Sequence, residues 1–399
     1  MDNKIYDFLI VGAGLVGLST AYHLQLACPD SKILLVEKED TVAKHQSSHN
    51  SGVIHSGIYY KPGSLKATNC IAGYKSLIEF AELNNIPYNI CGKIIVALDK
   101  GEIPRLHDIY KRGVENGLKG IAKLSGSQIK EYEPYCSGIE ALYVPQTGII
   151  DYPKLAETLL NLFLQKGGEI IFNSQVNSIV TAKDRTIVKT NSDEYHTRKL
   201  ITCGGLFSDR LANYTEINND LRIIPFRGEY YKLKKEKEYL VRNLIYPVPD
   251  PNFPFLGVHF TRMIHGGIEA GPNAVLTFKR EGYRFTDFNL SDTWDTMSWP
   301  GFWKVVAKYG KTGIGEIYRS LSKTAFTKAL QRLIPELCES DLESGGSGVR
   351  AQACHRDGRL IDDFNILQHN NIVHVRNAPS PAATASLAIG KYICDKIIN

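Results

Sequence analysis

The sequence predicts an α/β fold (α+β overall), in which a Rossmann-like domain is interrupted by a second domain built on a mixed or antiparallel sheet. Three observations lead to this prediction. A nearly continuous apolar run at 5–11 meets a glycine-rich turn and a helical pattern, which is typical of the first unit of a parallel sheet. Strand-like runs at 221–278 are broken by Gly and Pro, as in an antiparallel sheet. An apolar strand at 200–202 and a helix predicted over 382–398 then complete the first domain.

The composition is that of a globular protein and excludes several classes. With 399 residues, 43% of them hydrophobic and 22% charged, the chain is long enough for two or three structural units. The net charge of +5 comes without a motif that reads nucleic acid, so we expect no nucleic-acid partner. We find no apolar run of about 18 residues and no export signal, and therefore expect a cytoplasmic protein, free or at the inner face of a membrane. The eight cysteines form no CxxC pair, and we expect no metal.

The N-terminal glycine motif predicts a dinucleotide site. Gly12 permits a tight turn after the first strand, Gly14 lets the backbone approach a pyrophosphate, and Gly17 allows the helix to pack closely on the strand. The N-terminus of that helix favours phosphate binding. Glu37 follows the second predicted strand, 33–36, where a carboxylate can bind ribose hydroxyls. The same set of predicted contacts includes Leu15, Val16 and Lys38. This pattern alone does not separate NAD from FAD.

Three further loops favour FAD. The loop at 47–57 is small, polar and punctuated by glycines, the strand at 200–202 ends in a glycine pair, and 377–381 precede the C-terminal helix, whose N-terminus can stabilise negative charge on a flavin. One such loop is an ordinary α/β turn, but three spread along the chain indicate a shared ligand. The expected contacts are Ser48, Asn50, Ser51, Gly52, Val53, Cys203, Gly204, Asn377, Ala378, Pro379, Ser380, Pro381 and Ala382.

Longer stretches carry a resemblance to a known family. They are HNSGVIHSGIYYKP at 49–62, PFRG at 225–228, IYPVPD at 245–250, PFLGVHFT at 254–261, GPNAV at 271–275, GVRAQ at 348–352 and HVRNAPSPAAT at 374–384. With these stretches the chain resembles the L-2-hydroxyglutarate dehydrogenase/oxidase family of the D-amino-acid-oxidase-like superfamily. The stretches follow one another in order over nearly the whole chain.

The resemblance implies an organisation and an activity. It implies an FAD-binding domain formed by 1–75, 145–215 and 345–399, and a substrate-binding domain formed by 76–144 and 216–344. It also implies a contact between Val176 and adenine. The implied reaction is FAD-dependent oxidation of L-2-hydroxyglutarate, a dicarboxylate, to 2-oxoglutarate by hydride transfer to flavin. Electrons would pass to quinone, another acceptor or O2. Two alternatives are a flavin-dependent amine or amino-acid oxidase and a non-catalytic flavin-binding protein.

Oxidation of a 2-hydroxy acid needs a base and a carboxylate anchor. Histidine suits the base because its pKa lies near neutrality. His55, in the loop expected beside the flavin, and His259, in the second domain, are the candidates, and His55 alternatively only orients FAD. Arg350 resembles the arginine that binds the substrate carboxylate in amino-acid oxidases, since a guanidinium binds a carboxylate at two points. Otherwise Arg350 forms a buried structural ion pair. The candidate anchors for a second carboxylate are Arg227, Tyr60, Tyr246 and Arg376.

A basic segment at 301–334 is the remaining feature. It holds seven basic residues against one acidic residue, and all three tryptophans of the chain lie within it or just before it. Its apolar residues follow helical spacing. Such a segment is a domain helix with a solvated basic face, a membrane-surface helix, or a patch for an electron-transfer protein. The sequence leaves these alternatives open.

Overall fold

The computed structural model of the protein describes residues 4–215, 220–250 and 256–399. The first residues of the predicted range 1–75, the first of 216–344 and the Pro254-Phe255 pair of the 254–261 stretch lie outside the described residues. The strands of the described part are β1 (Ile5–Val11), β2 (Ile33–Val36), β3 (Val53–Ile54), β4 (Tyr88–Asn89), β5 (Lys93–Ala97), β6 (Ala122–Ser125), β7 (Glu140–Val144), β8 (Gly148–Ile150), β9 (Glu169–Ile171), β10 (Val176–Thr181), β11 (Thr186–Thr190), β12 (Glu194–Thr202), β13 (Leu221–Leu233), β14 (Leu244–Pro247), β15 (His259–Arg262), β16 (Ile268–Gly271), β17 (Val275–Leu276), β18 (Leu342–His355), β19 (Asn365–His369) and β20 (Ile372–Asn377).

The α-helices of the same described part lie between these strands. They are α1 (Leu15–Ala27), α2 (Leu65–Leu83), α3 (Ile103–Glu115), α4 (Gly126–Tyr132), α5 (Tyr152–Gln165), α6 (Ser208–Asn213), α7 (Leu290–Met297), α8 (Pro300–Leu321), α9 (Lys323–Gln331) and α10 (Ser386–Ile398). Within the described ranges, no helix is both long and apolar enough to cross a membrane.

The first sheet has a parallel centre. β1 lies between β2 and β12, and β9 and β20 extend the parallel set on either side, while β10, β11 and β19 add antiparallel strands. The central strands are buried on both faces, which is why β1 and β2 are apolar runs rather than alternating ones. Helices α1, α5 and α10 cover one face and share a core that includes Leu18, Leu155 and Ile393.

The second sheet is mixed. Its order is β17-β13-β16-β15-β14-β5-β7-β6, with β18 paired along β13, and β14 runs parallel to β5 while the other pairs of this sheet are antiparallel. The predicted α/β class, with a Rossmann-like sheet and a second mixed sheet, is therefore confirmed.

Two of the predicted domain boundaries differ from the sheet pairing. The boundary at 75 falls inside α2, which packs on the chain just before α10, where Gly73 meets Ala385. The return to the first sheet was predicted at 345, but β18 pairs with β13 from Leu221 to Leu233 and belongs to the second sheet. In the sequence, the glycine-rich stretch at 345–348 looks like a junction between the two domains. In the structure, Gly345 instead lets β18 pass close to the backbone of Tyr230.

Candidate active site

One long cavity lies between the two sheets and holds most of the predicted site. Its volume is about 930 Å³, and it extends from the first turn of α1 to the exposed side of α3. Residues of both domains line it, which is where ligand sites commonly form. The predicted residues that line it are Gly14, Leu15, Val16, Gly17, Asn50, Ser51, Val53, His55, Tyr60, Cys203, Tyr246, His259, Arg350, Arg376, Asn377, Ala378, Pro379, Ser380, Pro381 and Ala382.

The glycine turn forms one end of this cavity. Gly12 has φ of +100°, and a Cβ there would lie 2.5 Å from the carbonyl oxygen of Cys203. Helix α1 begins without a side-chain cap at Gly14, and the Leu15 N–H donates to Ser47 Oγ at 3.0 Å. The remaining N–H groups of this first turn face the cavity, so the turn offers the donors and the positive dipole end that a pyrophosphate needs. The structure thus fits the dinucleotide phosphates here.

Glu37 and Lys38 lie behind the glycine turn and outside the cavity lining. The Glu37 carboxylate accepts hydrogen bonds from the N–H groups of Ala13, at 2.6 Å, and Glu39, at 3.0 Å, so it ties β2 to the glycine turn. Lys38 forms an ion pair with Glu281 at 2.7 Å. Val176 is buried at the start of β10 and also lies outside the lining. Their predicted contacts with the cofactor stay predictions.

Glu39, His45 and Glu281 form a cluster of metal-ligand types beside this turn. His45 Nε2 lies 2.9 Å from a carboxylate oxygen of each acid, and Lys38 forms ion pairs with both acids. The Lys38 ammonium, together with that of Lys44, which lies 3.6 Å from Glu39, supplies positive charge next to the two acids. This cluster is a charge network that joins β2 to the second domain.

The loop at 47–57 is shaped by its own polar side chains. The Asn50 amide donates to the carbonyl of Ser47 at 2.8 Å and accepts the Gly52 N–H at 2.9 Å. The Ser48 hydroxyl donates to the carbonyl of Ala43 at 2.7 Å. Ser48, Gly52 and Gly204 do not line the cavity. Gly205, the residue after Gly204, does line it. These residues set the path of the loops, whereas Asn50, Ser51 and Val53 border the cavity.

The C-terminal return lines the cavity from 375 to 383 without being helical. Helix α10 begins at Ser386, not at Ala382 as predicted, because the two prolines of 377–381 and the turns after them delay regular helix. Thr384 connects this return to the 47–57 loop, since its Oγ1 accepts the N–H of His55 at 3.0 Å and lies 3.0 Å from the Tyr152 hydroxyl. The two loops predicted to hold FAD are therefore joined directly.

The two candidate bases lie in the same cavity. His55 Nε2 is 3.3 Å from Ser380 Oγ, between the 47–57 loop and the C-terminal return. His259 lies on β15, and its ring is 3.9 Å from that of Tyr246, centroid to centroid. The Nδ1 of His259 is 2.8 Å from the carbonyl oxygen of Gly257, to which it must donate, which leaves Nε2 as a proton acceptor. Burial lowers the pKa of both histidines to about 3, so both are neutral at physiological pH.

Arg350 lies on β18, opposite Phe226 of β13, and lines the cavity beside His259. Its positive charge contributes, after burial, to the lowered pKa of His259. β18 reaches this place because Gly348 packs on the backbone of His49, where a Cβ would clash. The strand of the second domain thereby carries its arginine up to the loop of the first domain.

Arg227 does not face the cavity. It is 2% exposed, donates to Glu229 at 2.8 Å and to the carbonyl of Arg284 at 2.7 Å. Successive side chains of a strand point to opposite faces, and Gly228 is the residue of this pair that lines the cavity. The structure thus places this predicted anchor on the wrong face. Arg376 does line the cavity, but it forms an ion pair with Asp220.

Sequence reasoning missed several residues at the far end of the cavity. Arg105, Asp108, Ile109 and Arg112 line it as one stripe of α3, with helical spacing. Lys93, at the start of β5, is 1% exposed, and its ammonium lies 4.5 Å from the ring centre of Tyr59. The available signal was a lysine directly before the apolar run Ile94–Ala97.

Comparison with known proteins defines the class. A sequence model described as "FAD dependent oxidoreductase" matches residues 7–396, and the chain therefore belongs to that family. The predicted cofactor, FAD, is confirmed by this membership. Among solved structures, the fold is similar to L-alpha-glycerophosphate oxidase from Mycoplasma pneumoniae with FAD bound, with a TM-score of 0.82, 24% identity and coverage of 99% of this chain and 95% of that one. It is also similar to glycine oxidase from Geobacillus kaustophilus, with a TM-score of 0.75, 16% identity and coverage of 98% and 94%.

Relatives of higher identity are more specific. A protein of Indibacter alkaliphilus named L-2-hydroxyglutarate dehydrogenase is 54% identical over 391 residues, which cover 98% of each chain. The mitochondrial L-2-hydroxyglutarate dehydrogenase of Homo sapiens is 46% identical over 409 residues, covering 98% of this chain and 88% of that one. The enzyme of the same name from Escherichia coli (strain K12) is 43% identical, with coverage of 98% and 93%. The family resemblance found in the sequence is confirmed.

Proposed function

We propose that the protein oxidises L-2-hydroxyglutarate to 2-oxoglutarate with FAD. The relatives that carry this activity in their names support the substrate, and the family supports the cofactor. The observation that carries the proposal is that two neutral histidines, His55 and His259, line the same cavity as the cation Arg350. A proton acceptor and a carboxylate anchor are the two groups that oxidation of a 2-hydroxy acid requires.

The residues that would hold FAD form the long part of the cavity. The first turn of α1 would bind the pyrophosphate, and the 47–57 loop and the return at 375–383 would enclose the flavin. The chemistry that bound FAD supplies is acceptance of the hydride that leaves C2 of the substrate. The remaining groups are supplied by the protein.

We assign the proton acceptor to His55. The base must act where the C–H bond meets the cofactor, and His55 lies between the two loops that would enclose the flavin, 3.3 Å from Ser380. Burial lowers the pKa of His55 to about 3, well below the near-neutral value expected from the sequence, so the ring is neutral and one of its nitrogens can accept the hydroxyl proton. His259, beside Arg350, would orient the substrate hydroxyl and C1 carboxylate. Tyr60 and Tyr246 line the same region and would exclude water from it.

We further propose that the electron acceptor is a membrane quinone, and that α8 binds the protein to the anionic surface of that membrane. One side of α8 is buried through Phe302 and Val305, and the opposite side exposes an apolar stripe. This α8 stripe consists of Trp303, Val306, Ile314, Ile317 and Leu321. Ile314, the most exposed member, is 70% exposed, and the five side chains together form an exposed apolar surface of the kind that marks interaction sites. Basic residues flank the stripe, as expected of a helix that lies on anionic lipid: Lys304, Lys308, Lys311 and Arg319.

A substrate panel tests the proposed function. The purified protein is incubated with an artificial electron acceptor and, in turn, L-2-hydroxyglutarate, glycine, sarcosine and D-amino acids, and the 2-oxo product is measured. We expect 2-oxoglutarate from L-2-hydroxyglutarate and no product from the amines. Turnover of an amine in place of the hydroxy acid would support the amine-oxidase alternative. Retention of FAD without turnover of any of these compounds would support a non-catalytic flavin-binding protein.

A further inference from the structure

Lys93 is a buried lysine with no acidic partner in the part of the chain that the structure describes. Its side chain is 1% exposed, and within the described ranges its ammonium forms neither a hydrogen bond nor an ion pair. The ammonium instead lies against two aromatic rings, 4.5 Å from the ring centre of Tyr59 and 4.7 Å from that of Tyr246. Cation–π contacts recover only part of the cost of removing an ammonium from water. A charge left in this state favours binding of an anion.

Both rings border the cavity, so the ammonium lies next to the substrate region. Lys93, Tyr246 and His259 occur on the adjacent strands β5, β14 and β15. Positive charge on Lys93 contributes to the lowered pKa of both His55 and His259, which places it within electrostatic reach of each. The Tyr59 hydroxyl is also buried and has no hydrogen-bond partner in the described part of the chain. The Tyr59 hydroxyl and the Lys93 ammonium therefore lie together at the wall that Tyr59 and Tyr246 form, with Lys93 directly behind the two rings.

We propose that Lys93, together with the Tyr59 hydroxyl, binds the second carboxylate of the dicarboxylate substrate. The proposal rests on the proposed function and adds the group that distinguishes 2-hydroxyglutarate from monocarboxylic 2-hydroxy acids. Arg350 would hold the C1 carboxylate, and Lys93 would hold the carboxylate at the other end of the substrate. Arg350 and Lys93 would then each bind one of the two carboxylates of the substrate.

The titration of Lys93 gives this assignment a pH signature. Burial lowers the pKa of Lys93 to about 7, so the ammonium is charged at pH 6 and largely neutral at pH 8. Because the carboxylate needs the charged form, affinity for a dicarboxylate falls as pH rises through 7.

Burial moves the pKa values of the histidines, the cysteine and the tyrosines around Lys93 out of that range. The pKa values of His55 and His259 are about 3, that of Cys70 is raised to about 12, and those of the tyrosines are raised further by burial. A pH dependence between 6 and 8 that is confined to dicarboxylates is therefore a property of Lys93.

The test measures binding without turnover. Oxidised holoenzyme is titrated with 2-oxoglutarate and with 2-oxobutyrate, a monocarboxylate, while the visible flavin spectrum is recorded. In the wild type, we expect the Kd of 2-oxoglutarate to rise about tenfold from pH 6 to pH 8, while that of 2-oxobutyrate stays constant. In Lys93→Met at pH 6, 2-oxoglutarate should bind about 10- to 100-fold more weakly, with 2-oxobutyrate unchanged.

Lys123→Met is the matched control. Lys123 also places its ammonium over a tyrosine ring, 4.9 Å from the ring centre of Tyr110, but it is exposed. This variant should bind both acids like the wild type. Equal pH profiles for both acids in the wild type would overturn the assignment even if Lys93→Met failed to fold. A Lys93→Met protein that still prefers the dicarboxylate would also overturn it, whereas a wild type that binds neither acid would contradict the proposed function itself.

Discussion

The site depends on residues whose charge state is set by burial. His55 and His259 are both neutral because the protein removes them from water, and in His259 the bond from Nδ1 to the Gly257 carbonyl also fixes which nitrogen accepts a proton. Their surroundings nevertheless differ. His55 belongs to the 47–57 loop and lies close to Ser380 of the C-terminal return. His259 instead packs on Tyr246 of β14, the strand that pairs with β5, which carries Lys93. Replacing His55 should therefore change a different kinetic quantity from replacing His259.

This difference is a prediction for single-turnover kinetics. His55→Asn should slow flavin reduction by L-2-hydroxyglutarate by about 10²- to 10⁴-fold, the usual contribution of a general base, with little change in substrate Kd. His259→Asn should mainly raise the Kd, since it would lose an orienting contact. Anaerobic stopped-flow measurements separate the two quantities. The reverse pattern would transfer the role of base to His259.

Among the elements, α8 has one side buried in the protein and one exposed apolar side. Its buried side packs on the second domain through Phe302 and Val305, in a cluster that also contains Ile224 of β13. Its opposite side carries the α8 stripe. Exposed apolar residues continue on the neighbouring segment, where Trp294 is 70% and Leu290 is 74% exposed. An apolar surface of this kind, bordered by lysines, is the basis for proposing a membrane contact.

Vesicle flotation tests this contact. The wild type should float with vesicles that contain anionic phospholipid and much less with zwitterionic vesicles, and added salt should weaken the interaction. Replacing Ile314 and Leu321 by Ser should abolish flotation without affecting flavin reduction, because neither side chain touches the cavity. As a control, Leu83→Ser alters a side chain that is 82% exposed on α2, away from the stripe. If the wild type failed to float with anionic vesicles, the surface would be better explained as a site for an electron-transfer protein.

At the scale of the whole molecule, the two domains are joined by charged and polar contacts around the cavity. Arg280 and Asp209 form a buried ion pair, with Nη2 to Oδ2 at 2.8 Å, and Asp209 also accepts the N–H of Ile223 at 3.0 Å. This pair ties α6 to β13 and to the loop after β17. Removing one partner of such a pair leaves an uncompensated buried charge, which commonly costs about 3–5 kcal/mol. This buried pair therefore contributes to the packing of the two domains against each other.

The sequence predicts the site best where the chemistry of the site requires a particular local pattern of residues. The Gly12, Gly14 and Gly17 turn and the C-terminal return could be predicted because their chemistry requires particular residues at fixed spacing. Arg227 was misjudged because which face a strand residue occupies depends on sheet pairing, which sequence spacing does not reveal. Lys93 was missed for a similar reason. Its importance arises only when β5 and β14 become neighbours and place two tyrosines around it.

The central claim is that this molecule oxidises the L enantiomer of 2-hydroxyglutarate with its own FAD. The most direct test is anaerobic mixing of the purified holoenzyme with each enantiomer while the visible flavin band is followed. We predict rapid bleaching by L-2-hydroxyglutarate and none by the D form, because a substrate held at both carboxylates can turn only one face of C2 to the flavin. A flavin band that L-2-hydroxyglutarate leaves unchanged would contradict the claim.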